Sequence, residues 1–182
     1  MRTIFIIIFI VLFTSCAKKR YQLTEDEKLA NKITHHVAMQ LKRDLDLYPV
    51  GTGGRIPDKI EMLGLSFHYY QPVDINLGRK LLISAIHRFV DEINTNGPIR
   101  KYLTQYPFQP ENIEIRIFLY NPDHLDVTPG ELSVIVYSDG FLKYKIDDPE
   151  NEYRLKTIHK ETYEEAVKQL FLRGKSGTDP QI

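Results

Sequence analysis

LSVIVYSDGFLKYKI, residues 132–146, is the stretch that decides the fold of this 182-residue chain. Two runs rich in aliphatic and aromatic residues flank Asp139-Gly140. This dipeptide favours a type I′ turn, because both central residues of that turn need positive φ. We therefore predict one strand over 132–137 and a second over 141–146, paired as an antiparallel hairpin.

Further strands are predicted on both sides of this hairpin. Residues 113–120 alternate between aliphatic side chains and polar or aromatic ones, which is the period of a half-buried strand. Residues 60–70 show the same alternation, and residues 153–159 can add another strand after the turn at 147–151.

Three segments carry the apolar spacing of amphipathic helices. Capping boxes mark where the first and the last of them begin, through Thr24 with Glu27 and through Thr162 with Glu165. The middle helix covers about residues 76–94. The order of helix, strand, helix, several strands and helix predicts the α+β class, with a mainly antiparallel sheet of four to five strands packed with three main helices.

Composition and charge exclude several classes of protein. The chain has 24 Lys and Arg against 24 Asp and Glu, so no net field attracts nucleic acid, and none is predicted as a partner. The single cysteine excludes an internal disulfide. The six histidines lack the spacing of metal ligands, so we predict neither a metal nor a cofactor.

The N-terminus has the organisation of a processing signal. Arg2 precedes an unbroken apolar run of ten residues, 4–13, and Cys16 follows shortly after it. A helix of that length spans only about 15 Å, half of a ~30 Å hydrocarbon core, so a signal-peptide segment fits better than a membrane-spanning helix. We predict a signal peptide at 1–15, a short tether at 16–23 that begins with Cys16, one α+β domain at 24–173 and a flexible tail at 174–182.

The segment Leu12-Phe13-Thr14-Ser15-Cys16 resembles the lipobox of bacterial lipoproteins, with Phe13 where that family prefers Leu. The resemblance implies a diacylglyceryl group on the Cys16 sulfur, cleavage before this residue and acylation of the new amino group. It also implies a lipid anchor, palmitate included, in a membrane of the bacterial cell envelope. We expect that membrane to be the outer one, with its lipid as a partner through acylated Cys16.

The mature chain also resembles a family of uncharacterised lipoproteins of intracellular Gram-negative bacteria. The segments that carry this resemblance are GTGG at 51–54, LGLSF at 63–67, IRKYL at 99–103 with YPF at 106–108, NIE at 112–114 and KTIHKETYEEA at 156–166. None of them is a catalytic signature, so the resemblance implies a location and no chemistry.

A glycine-rich segment after the first helix is a candidate anion site. Residues 48–57 contain two prolines and three glycines, which predicts a loop. The amides of Gly51-Thr52-Gly53-Gly54 could cradle phosphate or carboxylate, and Arg55 would supply charge. However, this segment follows a helix and precedes a strand, the reverse of a phosphate-binding loop. The alternative is a helix-terminating loop that requires positive φ.

Aromatic residues are the more informative group. Phe118 and Tyr120 point away from the isoleucine face of their strand, and Tyr70 ends the strand at 60–70. The sequence leaves two arrangements open. This face of the sheet is either exposed, as a contact surface for a peptide, glycan or protein, or covered by helices so that the sheet is buried on both sides.

These observations favour a non-enzymatic envelope lipoprotein that binds another envelope protein or a glycan. The candidate binding residues are Tyr70, Phe118, Tyr120 and Arg55, and no catalytic residue is assigned. The alternative is an envelope hydrolase that acts on peptidoglycan or a related glycan through carboxylates. A deep cleft with polar residues converging around Glu61, Glu114 or Arg116 would favour that alternative, and a flat aromatic patch would favour binding.

Overall fold

The computed structural model describes residues 22–151 and 153–176. The predicted signal peptide 1–15, Cys16, most of the tether and the last residues of the tail lie outside the described residues. Within the described ranges the chain forms helices α1 (Glu25–Leu45), α2 (Ile75–Thr95) and α3 (Tyr163–Ser176). The strands are β1 (Tyr48–Arg55), β2 (Met62–Tyr69), β3 (Ile113–Leu119), β4 (Val134–Ser138), β5 (Phe141–Asp147) and β6 (Leu155–Thr162).

Both predicted capping boxes are formed. The Glu27 carboxylate accepts a hydrogen bond from the backbone N–H of Thr24 at 2.8 Å. At α3 the backbone N–H of Thr162 donates to Glu165 at 2.8 Å, and the N–H of Glu165 donates to the Thr162 hydroxyl at 3.2 Å. The helix α3 extends to Ser176, so its last turn includes the first residues of the segment 174–182 that was predicted as a tail.

The six strands of the described residues form one sheet in chain order, β1 to β6. All neighbours are antiparallel except β2 and β3, which are parallel. The α+β class is confirmed, but the prediction of four to five mainly antiparallel strands misses one strand and the parallel pair. That pair forms because α2 crosses over the sheet and returns the chain to the end at which β2 began.

The strand β1 is the element that was predicted as a loop. It pairs antiparallel with β2 from Tyr48 to Arg55, with a bulge between Pro49 and Gly51. An edge strand tolerates proline and glycine, because only one of its sides must complete a ladder of hydrogen bonds. The positive φ that ends α1 belongs to Asp46, at 53°, and to none of the glycines at 51–54. Both interpretations of this segment as a loop are therefore wrong.

The hairpin of β4 and β5 is confirmed. Asp139 and Gly140 have φ values of 53° and 78°, as a type I′ turn requires. The strands pair from Ser138 opposite Phe141 to Val134 opposite Lys145.

The core lies between one face of the sheet and the helices. It contains Phe67, Ile115, Ile135 and Leu142 from the strands with Val37, Leu82, Ile86 and Phe89 from the helices. At Gly78 the helix α2 approaches the sheet so closely that a Cβ atom would lie 3.2 Å from the Tyr144 ring and 3.3 Å from Ile135 Cδ1.

The helices all lie on that one face. The helix α1 contacts β1 and β2, α2 contacts β3 to β5, and α3 contacts β5 and β6, while α2 also packs against both other helices. None of the described helices covers the opposite surface, which we call the open face. The arrangement with the sheet buried between helices on both sides is therefore not found among residues 22–151 and 153–176.

Candidate functional site

The strand register places two rows of side chains across the open face. The residues of each row are paired neighbours on successive strands, so their side chains point to the same side. One row contains Ser66, Arg116, Val136, Lys143 and Lys160. The other contains His68, Phe118, Val134, Lys145 and Thr157.

Aromatic residues gather at the β1–β3 end of these rows. We define the aromatic cluster as Tyr48, His68, Tyr70, Phe118, Tyr120 and His124. The His68 ring is central, with its centroid 4.8 Å from that of Tyr120 and 5.9 Å from that of Phe118. The Nδ1 atom of His68 and the hydroxyl of Tyr70 are hydrogen-bonded at 3.1 Å. The structure thus brings together three of the four predicted binding residues, Tyr70, Phe118 and Tyr120.

Two further members of the cluster, Tyr48 and His124, pack against the Tyr70 ring. The Tyr70 ring lies 4.1 Å from that of His124 and 5.4 Å from that of Tyr48. His124 reaches this position through a turn in which its φ is 68° and its N–H donates to the Asn121 carbonyl. Tyr48 begins β1, opposite His68. His124, Tyr48 and His68 were not among the predicted binding residues, although the alternation of β2 already placed His68 on the face opposite Phe67 and Tyr69.

A groove continues the open face beyond the cluster, from β3 to β6. Its volume is about 290 Å³, and its lining consists of Arg116, Phe118, Val134, Val136, Ser138, Lys143, Lys145 and Leu155. We call it the basic groove, because its lining includes three cationic side chains and no acidic one. Val134 and Val136 form its apolar floor and are only 5% and 6% exposed.

The cations of the basic groove differ in how they are held. Arg116 donates to the Glu114 carboxylate at 2.8 Å, and Lys143 donates to the Ser138 hydroxyl at 3.0 Å. The Lys145 carbonyl accepts a hydrogen bond from the backbone N–H of Ser133 at 2.9 Å, but the Lys145 ammonium group makes no hydrogen bond or ion pair with another residue of the described ranges. Its ammonium group is therefore available to an anionic ligand.

Arg55 lies apart from the other predicted binding residues. It stands at the far end of β1 from Tyr48, and its Nε donates to the Glu61 carboxylate at 2.6 Å. The backbone of residues 51–54 takes part in the ladder with β2, so it does not form the concave loop that an anion cradle needs.

The carboxylates of the hydrolase alternative do not converge in a cavity. Glu61 pairs with Arg55, and Glu114 pairs with Arg116. Neither carboxylate lines the basic groove. Among the described residues, no group of three His, Cys, Asp or Glu side chains could hold a metal ion.

One strongly polar network lies in the interior, between α2 and β6. The Arg79 Nε donates to both carboxylate oxygens of Glu161, at 2.9 and 3.0 Å, and its Nη1 donates to Asn76 at 3.0 Å. The Tyr144 hydroxyl donates to Glu161 at 2.6 Å. Burial, followed by this hydrogen bond to the carboxylate, raises the pKa of Tyr144 above its ordinary value. Because both Arg79 and Glu161 are buried, we assign the network to stability.

Comparison with protein-family models, curated proteins and solved structures finds no match to this chain. Over residues 22–151 and 153–176, no helix is both long and apolar enough to cross a membrane. The fold and the site define a two-layer α+β domain whose open face carries an aromatic cluster beside a basic groove.

Proposed function

We propose that this chain is a bacterial envelope lipoprotein whose α+β domain binds another envelope component through its open face, without catalysing a reaction. The observation that carries the proposal is the aromatic cluster on a sheet surface that no described helix covers. The lipobox resemblance at Cys16 supplies the proposed location.

The cluster has the properties of a preorganised contact surface. Its rings pack against one another at centroid distances of 4.1 to 6.0 Å, in edge-on and tilted arrangements. Rings held in this way lose little conformational entropy on binding. Tyrosine and histidine also combine an apolar body with a polar tip, which suits surfaces that are wet before binding and covered after it.

The tether keeps this surface close to a membrane. Ala17 to Leu23 comprise seven residues, which reach at most about 25 Å when extended. Two or three acyl chains at Cys16 anchor far more firmly than one marginal myristoyl chain. We therefore expect the partner of the open face to lie within a short distance of the bilayer.

Photo-crosslinking in intact cells tests the proposal. A benzophenone amino acid is introduced at Tyr120 in the aromatic cluster and, as a matched control, at Met39, which is 44% exposed on α1. We expect a discrete adduct from position 120 and none from position 39. Equal adducts from both positions, or none from position 120, would contradict the proposal.

Two substitutions then separate the aromatic contact from an anionic one at β1. Tyr70→Ala should reduce the adduct from position 120, because truncation of a hot-spot aromatic costs about 2 kcal/mol, roughly thirtyfold in affinity. Arg55→Ala should leave it unchanged, since Arg55 is already paired with Glu61. Loss of the adduct with Arg55→Ala alone would place the contact at the end of β1.

A further inference from the structure

The aromatic cluster and the basic groove form one continuous surface. Phe118 belongs to both, since its ring packs on His68 and its side chain also lines the groove. From β3 to β6 the groove crosses three inter-strand spacings of ~4.8 Å, about 14 Å in all. A ligand that occupies both features is therefore extended and lies across the strands.

Charge is unevenly distributed on this surface. The whole chain has 24 basic and 24 acidic residues, yet the groove is lined by Arg116, Lys143 and Lys145 with no carboxylate. Glu114 pairs with Arg116 at 2.8 Å and Asp139 lies 4.0 Å from Lys143, so Lys145 is the lining cation without a counter-ion among the described residues. Lys160, next to Lys143 on β6, adds a further cation and lies 3.7 Å from the centre of the Phe141 ring. This local excess of positive charge is complementary to an anionic ligand.

The uncharged parts of the surface restrict the class of anion. Val134, Val136 and Phe118 offer an apolar floor, and the Tyr and His residues of the cluster combine ring faces with hydrogen-bonding tips. A sugar ring has apolar C–H faces and a rim of hydroxyls, so it complements both. A nucleic acid is disfavoured, because the neutral chain lacks the long-range field that phosphate backbones require.

We propose that the aromatic cluster and the basic groove together bind an anionic glycan, in which sugar rings carry carboxylate or phosphate groups. The rings lie against the cluster and the apolar floor, and the anionic groups approach Lys145, Lys143 and Arg116. This inference rests on the proposed binding function, because it names the class of partner for the same face.

Titration calorimetry with the native lipidated protein in a neutral detergent tests whether the ligand is an anionic glycan. The first probe is a tetrasaccharide of alternating N-acetylglucosamine and N-acetylmuramic acid, which carries carboxylates. Its neutral control is the N-acetylglucosamine tetrasaccharide, which has the same ring linkage. The second probe is a phosphorylated glucosamine disaccharide, which distinguishes a lipid headgroup from a cell-wall glycan as the source of the charge.

The charge requirement is tested with two matched variants. Lys145→Glu reverses a charge in the basic groove, whereas Lys32→Glu makes the same change on exposed α1, in the helix layer. We expect one of the two anionic probes to bind at least about tenfold more tightly than the neutral tetrasaccharide. Lys145→Glu should weaken that binding about tenfold or more, and Lys32→Glu should change it less than twofold.

Other outcomes overturn the inference. They are equal affinity for the neutral tetrasaccharide, no binding of either anionic probe, no effect of Lys145→Glu, or tighter binding of an acidic peptide with the same dependence on Lys145. In each case the photo-crosslinked adduct from position 120 shows whether the proposed binding function still holds. If the adduct persists, only the glycan class is wrong, and if it is absent, both proposals fail.

Discussion

Arg79 on α2 and Glu161 on β6 form a buried ion pair in which the guanidinium Nε lies 2.9 and 3.0 Å from the two carboxylate oxygens. The pair joins residues that are 82 positions apart in the sequence. It fixes α2 against the last strand of the sheet, on the face opposite the aromatic cluster.

Glu161→Ala should destabilise the fold by about 3–5 kcal/mol, because it leaves the Arg79 charge buried without a counter-ion. The double variant Arg79→Met with Glu161→Leu should cost less than this single substitution, since no charge then remains in the interior. Urea unfolding of the three proteins gives the comparison. A double variant that is less stable than Glu161→Ala would show that the pair contributes through more than charge compensation.

Tyr137→Phe should leave stability at pH 7 unchanged or raise it by up to about 1 kcal/mol. The Tyr137 hydroxyl is buried and has no hydrogen-bond partner among the described residues, so its removal relieves an unsatisfied polar group. Burial raises the pKa of Tyr137 above its ordinary value. Below the unfolded pKa of about 10, Tyr137 is protonated in both states and its ionisation does not affect stability. As the pH rises further, the unfolded chain loses this proton while the folded chain keeps it, so the wild-type protein loses stability.

The advantage of Tyr137→Phe over the wild type should therefore grow above pH 10, as measured by urea unfolding at a series of pH values. Tyr144→Phe is the control, because it removes a hydroxyl that donates to Glu161 and should cost about 1–3 kcal/mol at pH 7. An equal loss from both substitutions at pH 7 would mean that the Tyr137 hydroxyl is satisfied.

Gly140→Val should lower the free energy of unfolding by about 1–3 kcal/mol, since Gly140 has φ of 78° and a β-branched residue is strained there. The control is Gly53→Val, at an exposed position of β1 where an added Cβ meets no atom within 4 Å. Thermal unfolding of both variants distinguishes strain in the turn from a general effect of replacing glycine. Equal melting temperatures for the two would contradict the role given to the turn.

Cys16→Ser should abolish incorporation of labelled palmitate and leave an uncleaved precursor, because the cysteine sulfur is the proposed acceptor of the diacylglyceryl group. The wild-type chain, labelled in parallel, provides the reference for both signals. Palmitate that is still incorporated into the variant would refute the lipoprotein assignment.

Elements set by local signals were predictable from the sequence. The Asp139-Gly140 turn needs only residues that tolerate positive φ, and the two capping boxes need residues three positions apart. The strands β2 and β3 follow from alternation, which also places Phe118 on the open face.

The rest depends on contacts between distant residues. The strand β1 has the composition of a loop, and only its ladder with β2 makes Gly53 extended, opposite Gly64. The parallel pairing of β2 with β3 depends on where α2 returns the chain. His124 joins the aromatic cluster through the turn at Asn121, which no periodic pattern indicates.

Footprinting of tyrosines in isolated envelopes tests the central claim, that the open face is occupied by an envelope component. Tyr48 in the aromatic cluster and Tyr106 beside α2 are 40% and 45% exposed, so hydroxyl radicals should modify them similarly in the purified protein. In envelopes that hold the native protein, we predict that modification of Tyr48 falls several-fold while that of Tyr106 is unchanged. Equal modification of Tyr48 in both preparations, or protection of Tyr106 alone, would contradict the account.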